Sequence, residues 1–158
     1  MIGGAQQLAA PGQSAPEAAF GADVCPADFQ MQPDRETMSV DLTHAWPASA
    51  AARAVQRTVM ALRREEALRL VDAFDLEKPA PVAFRFIAAQ NPQRLTNGLR
   101  LGPVDMAWEG ALSCDVAPVD KRLPGENGEE IPLYRVTLTT HDPVARAFFT
   151  FYFSLGGA

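Results

Sequence analysis

The chain has 158 residues, 47% of them hydrophobic and 21% charged, which suits about one domain with a single buried core. A formal charge of −5 argues against nucleic acid as a partner, because phosphate binding needs clustered Lys and Arg. The same charge gives no bulk attraction for an anionic polysaccharide, so binding one would require a local basic cleft.

No apolar run approaches the roughly 18–20 residues of a membrane span. Residues 1–7 show neither the basic start nor the long apolar stretch of a signal peptide, which leaves export of a longer parent protein open. The thirteen prolines and eleven glycines are scattered rather than clustered, as expected for many short strands joined by turns.

Residues 1–35 read as an irregular N-terminal segment with short strands. Pro11, Gly12, Pro16, Pro26 and Pro33 interrupt it, and Phe20 to Val24 is one strand-like piece. Residues 36–158 read as an antiparallel β-sandwich domain. Met38, Val40 and Leu42 alternate with Thr37, Ser39, Asp41 and Thr43, the period of a half-buried strand.

Residues 48–74 fit two patterns. Val55, Val59, Leu62, Leu70 and Ala73 fall near a helical stripe, while Leu68, Leu70, Phe74 and Leu76 share one strand face. Val55, Thr58, Val59 and Val71 are β-branched, and Arg63-Arg64-Glu65-Glu66 would be the solvated tip of a hairpin.

Val82, Phe84 and Phe86 alternate with Ala83, Arg85 and Ile87. Val104, Met106 and Trp108 lead into Glu109-Gly110, and Leu112, Cys114 and Val116 return from it, which predicts a hairpin over 104–116. Residues 120–130, with Pro124, Gly125, Asn127 and Gly128, predict an exposed loop. Tyr134, Val136 and Leu138 alternate with Arg135, Thr137 and Thr139. In the last strand, Phe149, Phe151, Phe153 and Leu155 alternate with Thr150, Tyr152 and Ser154, and the aromatics favour extended backbone and bury a large area.

Chemistry-bearing residues are sparse. His44 and His141 are the only histidines and stand in no H-x-H or H-E-x-x-H setting, so neither predicts a metal site, which needs three or four ligands. There is no G-x-S-x-G motif. Cys25 and Cys114 read as two unpaired thiols, with a long-loop disulfide as the alternative. Tyr134 points inward with the core residues of its strand, and Trp108 continues an apolar face. Trp46 follows a strand and could present its ring to a sugar.

Several phrases together resemble the C-terminal β region of the heparinase II/III-like family of polysaccharide lyases. Ile2-Gly3-Gly4-Ala5-Gln6-Gln7 is similar to the family's Gly-containing strand ending in Gln, and Phe20-Gly21-Ala22-Asp23-Val24 resembles the strand after it. Ser39-Val40-Asp41-Leu42-Thr43-His44-Ala45-Trp46-Pro47 is similar to a strand running into an aromatic-Pro turn. Arg57-Thr58-Val59 and Asp72-Ala73-Phe74 resemble an R-T-V then D-x-F hairpin, and Leu133-Tyr134-Arg135-Val136-Thr137-Leu138 a late strand.

The resemblance implies strands over 55–76 and an architecture of an N-terminal α-helical toroid followed by stacked β-sheets. It further implies β-elimination on a uronate-containing polysaccharide by a Tyr/His pair with a charge-neutralising group, and in some members a zinc ion held by His and Asp. No position here matches those catalytic residues. The expectation is therefore a non-catalytic β portion of a lyase, with no cofactor in this chain, partnered by the toroid and, through the intact enzyme, by an acidic polysaccharide. A free-standing carbohydrate-binding sandwich and an assembly module without ligand are the alternatives. Gln6 and Gln7, by the same resemblance, lie near the family's cleft, and with Trp46 they are the candidate substrate-binding residues.

Overall fold

A computed structural model describes residues 1–7, 28–125 and 127–156. Eleven strands follow in chain order: β1 (Asp28–Met31), β2 (Arg35–Asp41), β3 (Ala52–Leu62), β4 (Ala67–Ala80), β5 (Ala83–Ala88), β6 (Gln93–Leu95), β7 (Gly98–Leu101), β8 (Val104–Glu109), β9 (Leu112–Pro124), β10 (Glu130–Thr140) and β11 (Val144–Leu155). They form an eight-stranded antiparallel sheet in the order β1-β2-β3-β4-β11-β8-β7-β6 and a three-stranded sheet in the order β5-β10-β9. The described residues hold no α-helix, only 3-10 turns at Thr43–Ala45 and Ala48–Ala50. The fold is the expected antiparallel sandwich. The strand-like piece at 20–24, and Cys25, lie outside the described residues.

Residues directly opposite in an antiparallel pair share a face, so register fixes what each sheet turns inward. Phe151 stands opposite both Leu70 and Trp108, and Phe153 opposite Leu68 and Met106. The small sheet answers with Phe84, opposite Leu138, and Phe86, opposite Val136.

The rings interleave along the seam. Phe84 meets Phe149 and Phe151 at 4.9 Å between centroids, and Phe86 meets Phe151 at 5.2 Å and Phe153 at 5.7 Å. These spacings and their tilted or edge-on angles are the arrangements aromatic quadrupoles prefer. With three strands against eight, the small sheet covers only part of the large one. Phe29, Met31, Met38 and Leu68, on the inward face by register, stay exposed.

Residues 52–80 take the strand solution. β3 and β4 pair from Val55↔Phe74 to Leu62↔Ala67 around the tip at 63–66. Helical propensity loses because two strands bury Val55, Phe74 and Leu76 in the sandwich core, whereas a helix would cover one narrow stripe.

Two expectations are corrected. Residues 104–116 are not a hairpin: β8 pairs with β7 and β11, whereas β9 pairs with β10. The Glu109-Gly110 turn is real, but it carries the chain from one sheet to the other. Alternation orients side chains without choosing a strand's neighbour.

Residues 120–130 are not all loop. β9 runs to Pro124 and β10 starts at Glu130, with Glu130 opposite Pro124 and Ile131 opposite Leu123. The register breaks between Pro132 and Leu133, where proline lacks the N–H a ladder needs. Polar side chains concealed this extension, since backbone pairing in a solvated ribbon needs no apolar pattern.

Candidate functional site

The three candidate residues converge on one cleft. It measures about 270 Å³ and is lined by Gln6, Gln7, Trp46, Arg57, Asp72 and Arg85, over a floor that includes Phe74 and Phe84. That is slightly below the roughly 300–1,000 Å³ of drug-sized ligand pockets, which is room for a small group or a single ring. It lies beside the β5 edge, where the small sheet stops covering the large one.

Local structure explains how each side chain arrives. Ile2 and Ala5 exchange backbone hydrogen bonds at 3.1 and 2.8 Å around Gly3 and Gly4, whose φ angles are 53° and 84°. Two consecutive positive φ values mark the tight hairpin turn that glycine allows without steric cost. Ile2 bridges Val82 and is fully buried, which fastens the segment to the β5 edge and leaves Gln6 and Gln7 at the cleft mouth.

Trp46 is set by the end of β2. The Asp41 carboxylate accepts from the Thr43 N–H at 2.8 Å and from its hydroxyl at 2.5 Å, and that hydroxyl accepts from the Val55 N–H at 3.0 Å. The turn then delivers Trp46 half-buried against the core. Its indole N–H is buried with no acceptor among the described residues. The Thr43 hydrogen bonds hold the Asp41 carboxyl below its usual range.

Three charged residues here escaped the sequence reading. Arg57 and Asp72 stand directly opposite on β3 and β4, both in the inward phase. The Arg57 Nε donates to Asp72 Oδ1 and Nη2 to Oδ2, each at 2.7 Å. Asp72 is 2% exposed, while the Arg57 side chain is 43% exposed. The bond to Asp72 raises the Arg57 pKa above its already high ordinary value, so the guanidinium stays charged. Arg85 joins from β5. A signal existed: Arg57 lies between Val55 and Val59, and Asp72 between Leu70 and Phe74. Opposite charges in the apolar phase of two consecutive strands mark a pair that must face each other.

Other candidates stay apart from this cleft. His44 and His141 are exposed in turns, and among the described residues no three His, Cys, Asp or Glu side chains group closely enough to hold a metal. Cys114 is a free, half-buried thiol, and burial pushes its pKa up, away from nucleophilic reactivity.

Tyr134 is half-buried on the inward side of β10. Tyr152 lies on the opposite face of the large sheet, where its hydroxyl donates to Glu109 at 2.9 Å and Arg69 sits 5.5 Å from its ring centre. The Glu109 bond raises the phenol pKa, the wrong direction for an elimination base.

The fold is an all-β sandwich, and it is similar to part of a polysaccharide lyase. Among solved structures, the chain is similar to the heparan sulfate lyase HepC from Pedobacter heparinus, with a TM-score of 0.58 and 10% identity over 83% of this chain. A mutant of the same lyase matches with the same values. At that identity the likeness is one of fold. The chain spans 21% of the length of those lyases. No protein-family profile matches the sequence, and no curated protein does.

Proposed function

We propose that this chain is the non-catalytic β-sheet portion of a heparinase II/III-like polysaccharide lyase. In the intact protein it buttresses an N-terminal α-helical toroid that carries β-elimination on a uronate-containing polysaccharide, and it lines one wall of the substrate cleft. The observation that carries this reading is the shared fold over 83% of the chain, a match that covers only 21% of the much longer lyase.

The cleft is consistent with it. Gln6 and Gln7 supply amide donors and acceptors, Trp46 a flat ring, and Arg57 and Arg85 positive charge in a chain whose net charge is −5. No residue of the chain is assigned to proton transfer or to zinc.

The test is activity of the isolated chain on heparin, heparan sulfate and alginate. No rise in the ultraviolet absorbance of unsaturated uronates is expected, and a rise that survives further purification would overturn the reading. The coding sequence upstream of Met1 is the complementary check, and it should encode a helical toroid with a Tyr/His set. A second reading, a free-standing carbohydrate-binding sandwich, is favoured by the cleft itself, where Gln6, Gln7, Trp46, Arg57 and Arg85 gather. An upstream sequence without a toroid, together with glycan binding by the isolated chain, would select it.

A further inference from the structure

Arg57 is held side-on. Its Nε and Nη2 are taken by the two oxygens of Asp72, and Asp72 is its sole side-chain partner among the described residues. A guanidinium carries five N–H donors in a rigid plane, so an Asp72 bound along the Nε edge leaves the Nη1–Nη2 end unused. That end belongs to a side chain 43% exposed and lining the cleft, whereas its carboxylate partner is buried. The carboxylate thus fixes the plane of the cation and leaves that end without a side-chain partner among the described residues.

Charge decides the ligand class. The cleft's charged side chains are Arg57, Arg85 and Asp72, two positive and one negative. The negative one is already covered by a bidentate ion pair at 2.7 Å. What is left facing a ligand is cationic, in a protein that is acidic as a whole. Neutral sugars need no such groups. An oxyanion with two parallel oxygens matches a guanidinium end in a planar, two-point contact.

We propose that the cleft is an anion clamp, in which the free end of Arg57, oriented by Asp72 and joined by Arg85, binds the carboxylate or sulfate of an acidic saccharide whose ring lies against Trp46. The inference rests on the lyase-portion reading for its choice of saccharide. Arg57 and Arg85 are the binding groups, and Asp72 is a positioning residue.

The experiment is calorimetric titration of the full chain with alginate oligosaccharides, which carry carboxylates alone, with heparin oligosaccharides, which also carry sulfates, and with a neutral cello-oligosaccharide. The expected result is binding of one or both acidic ligands, none of the neutral one, and loss of affinity as salt is raised. Preference between the two acidic ligands identifies the anion.

Arg57→Gln alone would strand a buried carboxylate and could unfold the chain. The informative variants are therefore Arg85→Gln at an exposed position and the double change Arg57→Gln with Asp72→Asn, which removes both charges together. Each should weaken acidic-ligand binding by about tenfold or more, with the far-ultraviolet spectrum unchanged. Asp72→Asn alone keeps the cation but frees its plane, and should weaken a two-oxygen ligand while leaving the salt dependence in place.

Acidic-ligand binding that all three variants retain would overturn the clamp and leave the lyase-portion reading standing. So would absence of binding by the unaltered chain at millimolar ligand. An upstream sequence without a toroid would instead sink the lyase reading, while the variants would still decide the clamp.

Discussion

Phe151 is the side chain on which the two sheets converge, and truncating it tests the packing most directly. It is fully buried, meets Phe84 at 4.9 Å and Phe86 at 5.2 Å, and is flanked in its own sheet by Leu70 and Trp108. Phe→Ala in a core costs about 3–5 kcal/mol, against a total of roughly 5–15 kcal/mol for a domain. The upper half of that range is expected here, because two ring–ring contacts worth about 0.5–1.5 kcal/mol each disappear as well.

With a urea slope of roughly 1–3 kcal/mol/M, the midpoint should fall by on the order of 2 M. The control is Phe148→Ala, three residues before it and on the other face, where the ring is 72% exposed. That change should stay within about 0.5 kcal/mol. Urea titrations of both variants, followed by Trp fluorescence and circular dichroism, give the comparison. Similar losses from the two substitutions would refute the assignment of faces along β11, and with it the sandwich seam.

Three further outcomes are expected. Thr150 lies on the opposite face from the Phe seam yet is buried, and its hydroxyl has no partner among the described residues, so Thr150→Val should raise the urea midpoint by the equivalent of about 1 kcal/mol. Gly98 sits where an added Cβ would fall 2.0 Å from the Met106 carbonyl oxygen, so Gly98→Ala must push β7 from β8 and should lower the thermal midpoint by several degrees, with a cost of about 1–3 kcal/mol. Asp41 has its pKa lowered in the folded chain by Thr43. Its contribution is therefore present above the ordinary carboxyl value of 3.8 and lost as pH falls through the lowered one. Asp41→Asn should accordingly be less stable than the parent at neutral pH, with the gap narrowing in paired urea titrations as the pH falls below the ordinary carboxyl value.

Much of the sandwich was legible because its strands carry their own period. β11 needs nothing beyond the alternation of Phe149, Phe151 and Phe153 with Thr150 and Tyr152. β3 and β4 were different, since the helical and extended patterns both fitted and only the resemblance to a lyase region separated them. Pairing partners were the weakest part. Leu112, Cys114 and Val116 do point inward, but into the small sheet, and a pattern of side chains carries no address for the neighbouring strand.

Burial on the outer side of β11 was hidden for a related reason. Thr150 has a polar name, but it stands opposite Val71 and Glu109 in the middle of the sheet and is 1% exposed. At the cleft, Gln6, Gln7 and Trp46 had been singled out separately, and the Ile2–Val82 bridge and the Asp41–Thr43 turn place them together. Arg57 and Asp72 carried a signal in the apolar phase of their strands, but their pairing follows only from the β3–β4 register, and Arg85 carried none, because it alternates as an ordinary exposed residue of β5.

The order of strands in the large sheet bears on how the chain reaches its fold. β11, the last strand, is inserted between β4 and β8, so Leu70 must wait for Phe151 to close the ladder. Contacts that separated in sequence require large loops to be closed before they are rewarded, which slows folding. During synthesis β1 to β4 and β6 to β8 can exist only as two separate halves with open, apolar flanks, and they fuse when the final segment emerges. A nascent chain stalled before Val144 is thus expected to be unfolded and prone to pairing with its neighbours. The 158-residue chain should refold slowly and in one step, with no stable half-sheet along the way.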